Sequence, residues 1–206
     1  MFRPSHRANV LAIETLLVVL CVTSPALADP PAAQPMPTEA EMAAAMQMMM
    51  PGEHHKLLET FAGDWEMTSK VWMGGPGTEP AVSHATSHAE WVLGGRFVMS
   101  TMKGEMFGMP HEGIGMLGYD NFKNMYVGTW ASNMGTEILS YSGMSAPGSN
   151  TIIMYGAMDE PNMRVVGRTV KYVYRIESRD KYTMDLIDLH AGDDYKVVEV
   201  SFTRRK

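Results

Sequence analysis

Residues 93–130, LGGRFVMSTMKGEMFGMPHEGIGMLGYDNFKNMYVGTW, carry glycines at positions 94, 95, 104, 108, 113, 115, 118 and 128. Glycine at that density forbids a continuous helix, because each one costs conformational entropy in a helix interior. It suits turns and places where one strand's backbone lies against a neighbouring side chain. Apolar runs at Arg96–Lys103, Ile114–Tyr119 and Met125–Trp130 lie between the glycines, with Asp120-Asn121 as a turn. The stretch therefore reads as the middle of an antiparallel β-meander.

The rest of the chain repeats the pattern at a period of two. Trp65, Met67, Val71 and Met73 alternate with Asp64, Glu66, Thr68 and Lys70, as in a half-buried strand. Further strands are expected at Ala81–Leu93, Thr136–Gly143, Thr151–Ala157, Arg164–Ile176, Lys181–His190 and Tyr195–Thr203. The turns between them include Pro147-Gly148-Ser149-Asn150, Asp159-Glu160-Pro161-Asn162 and Gly192-Asp193-Asp194. About ten strands with short polar turns and no interleaved helices predict a meander closed into a barrel, the arrangement that removes unpaired edges. Helical signals are confined to the N-terminal side. Thr38 and Glu41 have capping-box spacing before a Met- and Ala-rich helix, Glu39 to about Met50, which stops at Pro51-Gly52. A second short helix is expected over Glu53–Phe61.

Before these elements, Arg3, His6 and Arg7 precede a mostly apolar stretch, Val10–Cys21, followed by Ala26-Leu27-Ala28. That order matches a cleaved export signal spanning residues 1–28, with the mature chain starting at Asp29. The apolar stretch is short for a membrane span, so the mature chain is expected to have none. Cleavage would leave 178 of the 206 residues and, by removing two arginines and one glutamate, take the net charge from −6 to −7. It would also remove Cys21, the only cysteine, so neither an intramolecular disulfide nor thiol chemistry is available. Residues 29–36 read as a Pro- and Ala-rich spacer, continued to residue 50 by the first helix. Residues 51–206 form the barrel domain. Net acidity, with no basic run before Arg204-Arg205-Lys206, argues against a nucleic-acid surface.

A longer set of short motifs carries a resemblance. Pro51-Gly52-Glu53-His54, Gly63-Asp64-Trp65, Gly94-Gly95-Arg96-Phe97, Gly104-Glu105-Met106, Gly118-Tyr119-Asp120-Asn121 and Trp130 with Asn133-Met134-Gly135-Thr136 occur in the order of bacterial domain-of-unknown-function family 1579. The chain resembles that family over roughly Pro51 to Arg204. Gly63-Asp64-Trp65 also looks like the G-x-W opening of lipocalin barrels. The resemblance implies a lipocalin-like (calycin) barrel and brings no activity or catalytic residues.

No catalytic constellation stands out, and the residues imply no cofactor. Gly113–Gly118 matches G-x-G-x-x-G but lacks the strand-then-helix context that holds a pyrophosphate, so it reads as glycine punctuation. Ser100, Ser140 and Ser142 lack a nucleophile-elbow motif. His84 and His88 would lie about 13 Å apart along a strand and do not converge on one metal. Asp185 and Asp188 fall on opposite strand faces. The 21 methionines raise a Cu(I) hypothesis beside His54-His55, but their even spread along the chain favours packing.

Alternation nominates Trp65, Met67, Trp130, Tyr141, Arg168 and Tyr172 as inward-facing residues of a ligand cavity. Arg168, on a face with Val166, Val170, Tyr172 and Tyr174, either pairs with a carboxylate or anchors an anionic head. The function expected is binding of a small apolar or anionic amphiphilic molecule inside an exported barrel. The competing classes are a haem- or metal-binding protein or enzyme using the same cavity, and an envelope module with a solid interior.

Overall fold

The computed structural model describes residues 36–160 and 164–206. The expected export signal, its cleavage point, nearly all of the spacer and the Pro161-Asn162 part of one turn lie outside the described residues. Ten strands follow two short helices: β1 Gly63–Val71, β2 Ala81–Val92, β3 Phe97–Met106, β4 Met109–Asp120, β5 Met125–Ser132, β6 Leu139–Ser145, β7 Thr151–Glu160, β8 Val165–Ser178, β9 Lys181–Asp188 and β10 Lys196–Arg204. Each pairs antiparallel with its neighbours in sequence, and β1 pairs with both β2 and β10, so the meander closes into a barrel. No described helix is long and apolar enough to cross a membrane.

Several strand boundaries differ from the sequence reading by two or more residues, among them the starts of β4 and β6. β4 begins at Met109, earlier than expected, because the turn before it is only Phe107-Gly108, with φ values of 53° and 77°. Two consecutive positive φ values are the mark of the tight hairpin turn whose twist matches the strands. Such a turn lets Pro110 and His111 join the ladder. β6 begins at Leu139, so Thr136–Ile138 lie outside the strand.

Helix α1, Glu39–Met48, has the expected capping box, with the Glu41 N–H bonded to Thr38 Oγ1 at 3.2 Å and the Thr38 N–H to Glu41 Oε2 at 2.7 Å. It buries none of its residues, and Met42 and Met46 face solvent. Its C-terminal end is held through the backbone instead. Arg96 Nε donates to Met49 O, and Asn121 Nδ2 donates to Met48 O and Met50 O. Glu53–Phe61 is a 3-10 helix carrying Leu58 and Phe61 into the core. Its start is capped by the Gly52 N–H donating to His55 Nδ1 at 3.1 Å.

This 3-10 helix closes one end of the barrel. Trp65 is fully buried there, and its indole N–H donates to Phe61 O at 2.9 Å. The Arg204 guanidinium lies 4.2 Å from the Trp65 ring centroid and donates to Ala62 O, Thr60 O and Arg179 O. A side chain at Gly63 would collide with that guanidinium, which explains a glycine immediately before the first strand's tryptophan. Phe61, Trp65, Tyr182 and Phe202 continue the floor as edge-on and stacked rings.

Candidate functional site

Above this floor the barrel encloses a cavity of about 260 Å³. It extends toward the ends of β1 and β3 and the start of β4, the end of the barrel away from the 3-10 helix. Two unlike walls form it. On β2 the inward positions are small and often hydroxylated, Ser83, Ala85, Ser87 and Ala89, and Ser69 on β1 and Ser100 on β3 extend this wall among the larger Met67, Val98, Met102 and Met106. On β6, β8, β9 and β10 they are large: Tyr141, Tyr172, Tyr174, Tyr182, Met184 and Phe202. Space remains because bulky residues on one side face small ones on the other.

Glycines let the rings lie flat against the sheet. Trp130 is paired with Gly115, and a Cβ at either Gly113 or Gly115 would press into its indole. Tyr141 sits between Gly128 and Gly156 across the ladder, and a Cβ at Gly128 would occupy the ring's position. The G-x-G-x-x-G match thus lies within β4, and its first two glycines make room for Trp130.

The phenols of Tyr141, Tyr172, Tyr174 and Tyr182 are pushed above their ordinary range, in each case mainly by burial, so they stay neutral hydroxyls. Tyr141 Oη and Tyr174 Oη lie 3.5 Å apart, and Tyr141 stacks on Tyr172 with centroids 4.3 Å apart. Tyr172 is 4% exposed, and its hydroxyl has no hydrogen-bond partner. On the opposite side His111 is 9% exposed and Ser87 is 8% exposed. Burial lowers the His111 pKa, which favours a neutral imidazole with one donor and one acceptor nitrogen. Among the described residues Glu105 supplies the only carboxylate of the lining, and no lysine or arginine takes part.

Of the six nominated residues, Met67, Trp130, Tyr141 and Tyr172 line this cavity. Trp65 is in the floor below it, packed and hydrogen-bonded as structure. Arg168 is absent from the lining and forms an ion pair with Asp188, at 15% and 10% side-chain exposure. Burial opposes ionisation of Asp188, but bonds from the Arg168 guanidinium and the His190 N–H outweigh it and hold the carboxyl below its usual range. The alternation from Arg168 through Val170 to Tyr172 is regular, and the irregularity between the Met158 and Glu160 pairings, with Gly167 at φ 73°, falls before Arg168 and leaves Val166 in solvent.

The other polar groups weighed from the sequence have local partners. His84 Nδ1 lies 3.3 Å from Thr68 Oγ1, and His88 Nδ1 lies 2.8 Å from Asp64 Oδ1. His54 stacks on Tyr119, while His55 is spent on its cap. Asp185 takes Arg175 and Lys196. Among the described residues no three His, Cys, Asp or Glu side chains group as metal ligands would.

Sequence reasoning missed His111, Ser87 and the tyrosines at 174 and 182 as cavity residues. Their signal was present only as parity within strands whose register was still unknown. Arg204 gave none, since nothing local marks a guanidinium that reaches back to the first strand.

Comparison with known proteins agrees with the architecture. A crystal structure of Rv2717c from M. tuberculosis matches with a TM-score of 0.51 at 16% identity, covering 76% of this chain and 100% of that one. A redesigned β-barrel, b11L5F_LGL, matches with a TM-score of 0.38 at 14% identity, covering 74% and 95%. The first likeness shows a shared fold and nothing more. No curated protein matches the chain. The family described as "Protein of unknown function (DUF1579)" matches residues 50–204, well over half of the sequence, and the chain belongs to that family.

Proposed function

We propose that this protein binds one small, largely apolar and uncharged molecule in the barrel interior. The observation that carries the reading is the cavity itself: about 260 Å³ between a hydroxylated wall and an aromatic wall. Ligand sites in proteins are concave, mainly apolar and furnished with a few polar groups. An apolar cavity of about 150 Å³ accepts benzene, so the present volume suits one or two fused rings better than a porphyrin. Neutral ligands are favoured over anionic ones because the lining lacks a cation, whereas a carboxylate head would meet Glu105 and un-ionised phenols. Arg168, the anionic anchor expected from sequence, is engaged by Asp188.

The test is fluorescence titration with the neutral probe N-phenyl-1-naphthylamine. The native chain should give a saturable rise, and an Ala85→Phe variant, which puts a ring into the cavity from β2, should lose it. Equal signals from the two proteins, or none from the native chain, would refute the reading.

The N-terminal pattern supports a further part of the proposal, that the protein is exported and acts in the periplasm or outside the cell. Intact-mass analysis of exported protein should give a chain beginning at Asp29. A species retaining Cys21 would refute cleavage at Ala28.

A further inference from the structure

Resting on the reading that the cavity takes an apolar guest, we infer that this guest is a hydroxylated aromatic. Its ring lies against the Tyr141–Tyr172 side, and its hydroxyl is bonded by the polar groups of the β2–β4 wall, Ser87 and His111.

The inference begins with unsatisfied hydrogen-bonding capacity. Buried polar side chains in folded proteins nearly always have a partner, because an unmade bond costs the full desolvation of the group. Ser87 and His111 are both more than nine-tenths buried and both line the cavity. Neither side chain hydrogen-bonds to another described residue, although short bonds are made by the other histidines of the barrel wall, His84 and His88. Ser100, a further wall residue, is likewise without a side-chain bond.

Their placement follows from the register. Ser87 pairs with Met102 and Ala89 with Ser100, so the two serines are diagonal neighbours on adjacent strands. His111 pairs with Gly104, which pairs with Ala85. The two positions beside His111 in its row therefore carry almost no side chain. That leaves the imidazole facing open space, with Ser87 one inward position deeper on β2. Neutral imidazole and serine hydroxyl can each donate and accept, which suits a hydroxyl group, itself both donor and acceptor.

The opposite wall selects for a ring. Tyr141 and Tyr172 are stacked on one another, and Trp130 is held flat by Gly113 and Gly115. Flat aromatic surfaces favour offset or edge-on contact with another ring, worth more than the area alone. A hydroxyl on an alkyl chain would satisfy the serine wall but waste this surface. An unsubstituted arene would do the reverse, covering Ser87 and His111, whose polar atoms open onto the cavity, without giving them partners.

The experiment compares 2-naphthol with 2-methylnaphthalene, which has the same shape but no hydroxyl, by titration against the full-length protein. The native protein should bind 2-naphthol about tenfold more tightly, the ratio expected for one net hydrogen bond. Ser87→Ala, which removes a single atom and threatens no packing, and His111→Leu should each reduce that ratio, and the double replacement should bring it close to one. Equal affinity of the native protein for the two arenes would overturn the polar anchor while leaving the cavity reading intact. A tenfold preference that survives both replacements would overturn the assignment to Ser87 and His111. Failure of both arenes to bind would overturn the cavity reading and this inference with it.

Discussion

The closed end of the barrel and the cavity above it handle buried polarity in opposite ways. At the floor, the indole N–H of Trp65 has Phe61 O, and the Arg204 guanidinium serves three backbone carbonyls, an aromatic face and the Asp180 carboxylate. Every one of these groups is matched within the protein. In the cavity wall, Ser87 and His111 are buried residues and Ser100 is half-buried, but no described residue bonds to their side chains. Matched groups add stability and fix one geometry; unmatched ones cost stability and remain available to something else. The difference separates a region whose polar groups are committed within the fold from one whose polar groups are not, although both are made by the same strands.

Trp65 is where breaking this contrast should have the largest effect. Trp65→Ala would remove the largest fully buried side chain, orphan Phe61 O and take the aromatic face from Arg204. Chemical denaturation should show a loss of about 3–5 kcal/mol, typical of large aromatic truncations in a core. A loss below about 1 kcal/mol, the scale of ordinary surface changes, would mean that the floor is not the stabilising region.

Arg168 sharpens the comparison, because it sets a paired charge against the cavity's uncharged wall. Arg168→Met should cost about 2–3 kcal/mol, below the 3–5 seen when a fully buried pair loses one partner, since both side chains here keep some solvent. Most of that cost is the stranded Asp188 carboxylate, so adding Asp188→Leu should recover much of it. Naphthylamine binding should be unchanged throughout. A fall in binding without a fall in stability would return Arg168 to the role of ligand anchor.

The sequence exposed the fold more fully than the site, for a physical reason. The signals are local: Trp65 and Met67 announce an inward face from neighbours two residues away, and the apolar runs between glycines mark the strands from Arg96 to Trp130. Closure followed from the uniform short turns. A site depends instead on which inward residues of different strands share a level, and that is set by register. Gly104 opposite His111 and Gly128 opposite Tyr141 are invisible until the strands are aligned. Arg168 makes the same point: it keeps the parity of Val170 and Tyr172, but the register sets Asp188 opposite Val170, and the guanidinium pairs with that carboxylate. Helix α1 and its capping box were legible in the sequence, but its attachment was not, because the residues after its last turn are fastened through backbone carbonyls to Arg96 and Asn121.

Acidification distinguishes the two regions through their histidines. Burial first, then the neighbouring His54 and Arg96 charges, lower the pKa of His55 beside the floor; burial alone lowers that of His111 in the cavity. A histidine whose folded pKa is depressed binds fewer protons when folded than when unfolded. Its contribution is therefore complete above the unfolded value of about 6.5 and is lost as pH falls through the folded value. His88 has the opposite sign, raised first by its hydrogen bond to the Asp64 carboxylate, but it is exposed. Stability should thus decline on acidification from about pH 6.5, before the carboxylates Asp188 and Glu199, both lowered, begin to protonate. Denaturation midpoints measured across this range should show a shallower decline in His111→Leu than in the native chain. An identical decline would mean that His111 is not desolvated as the cavity geometry requires.

The smallest effect is expected at Ser69, and it tests the contrast most directly. Ser69 and Ser83 are directly paired across β1 and β2, and both line the cavity. Neither hydroxyl bonds to another described side chain or to a described carbonyl, so Ser69→Ala breaks no interaction within the protein. Removing a polar atom from such a wall should change stability by less than about 0.5 kcal/mol in either direction, as for substitutions that disturb no named interaction. At the floor, by contrast, removing the Trp65 indole N–H or the Arg204 guanidinium leaves a carbonyl partner behind. If Ser69→Ala lowered stability by 1 kcal/mol or more in chemical denaturation, its hydroxyl would be part of a network within the fold, and the separation of a stabilising floor from an uncommitted wall would fail at that position.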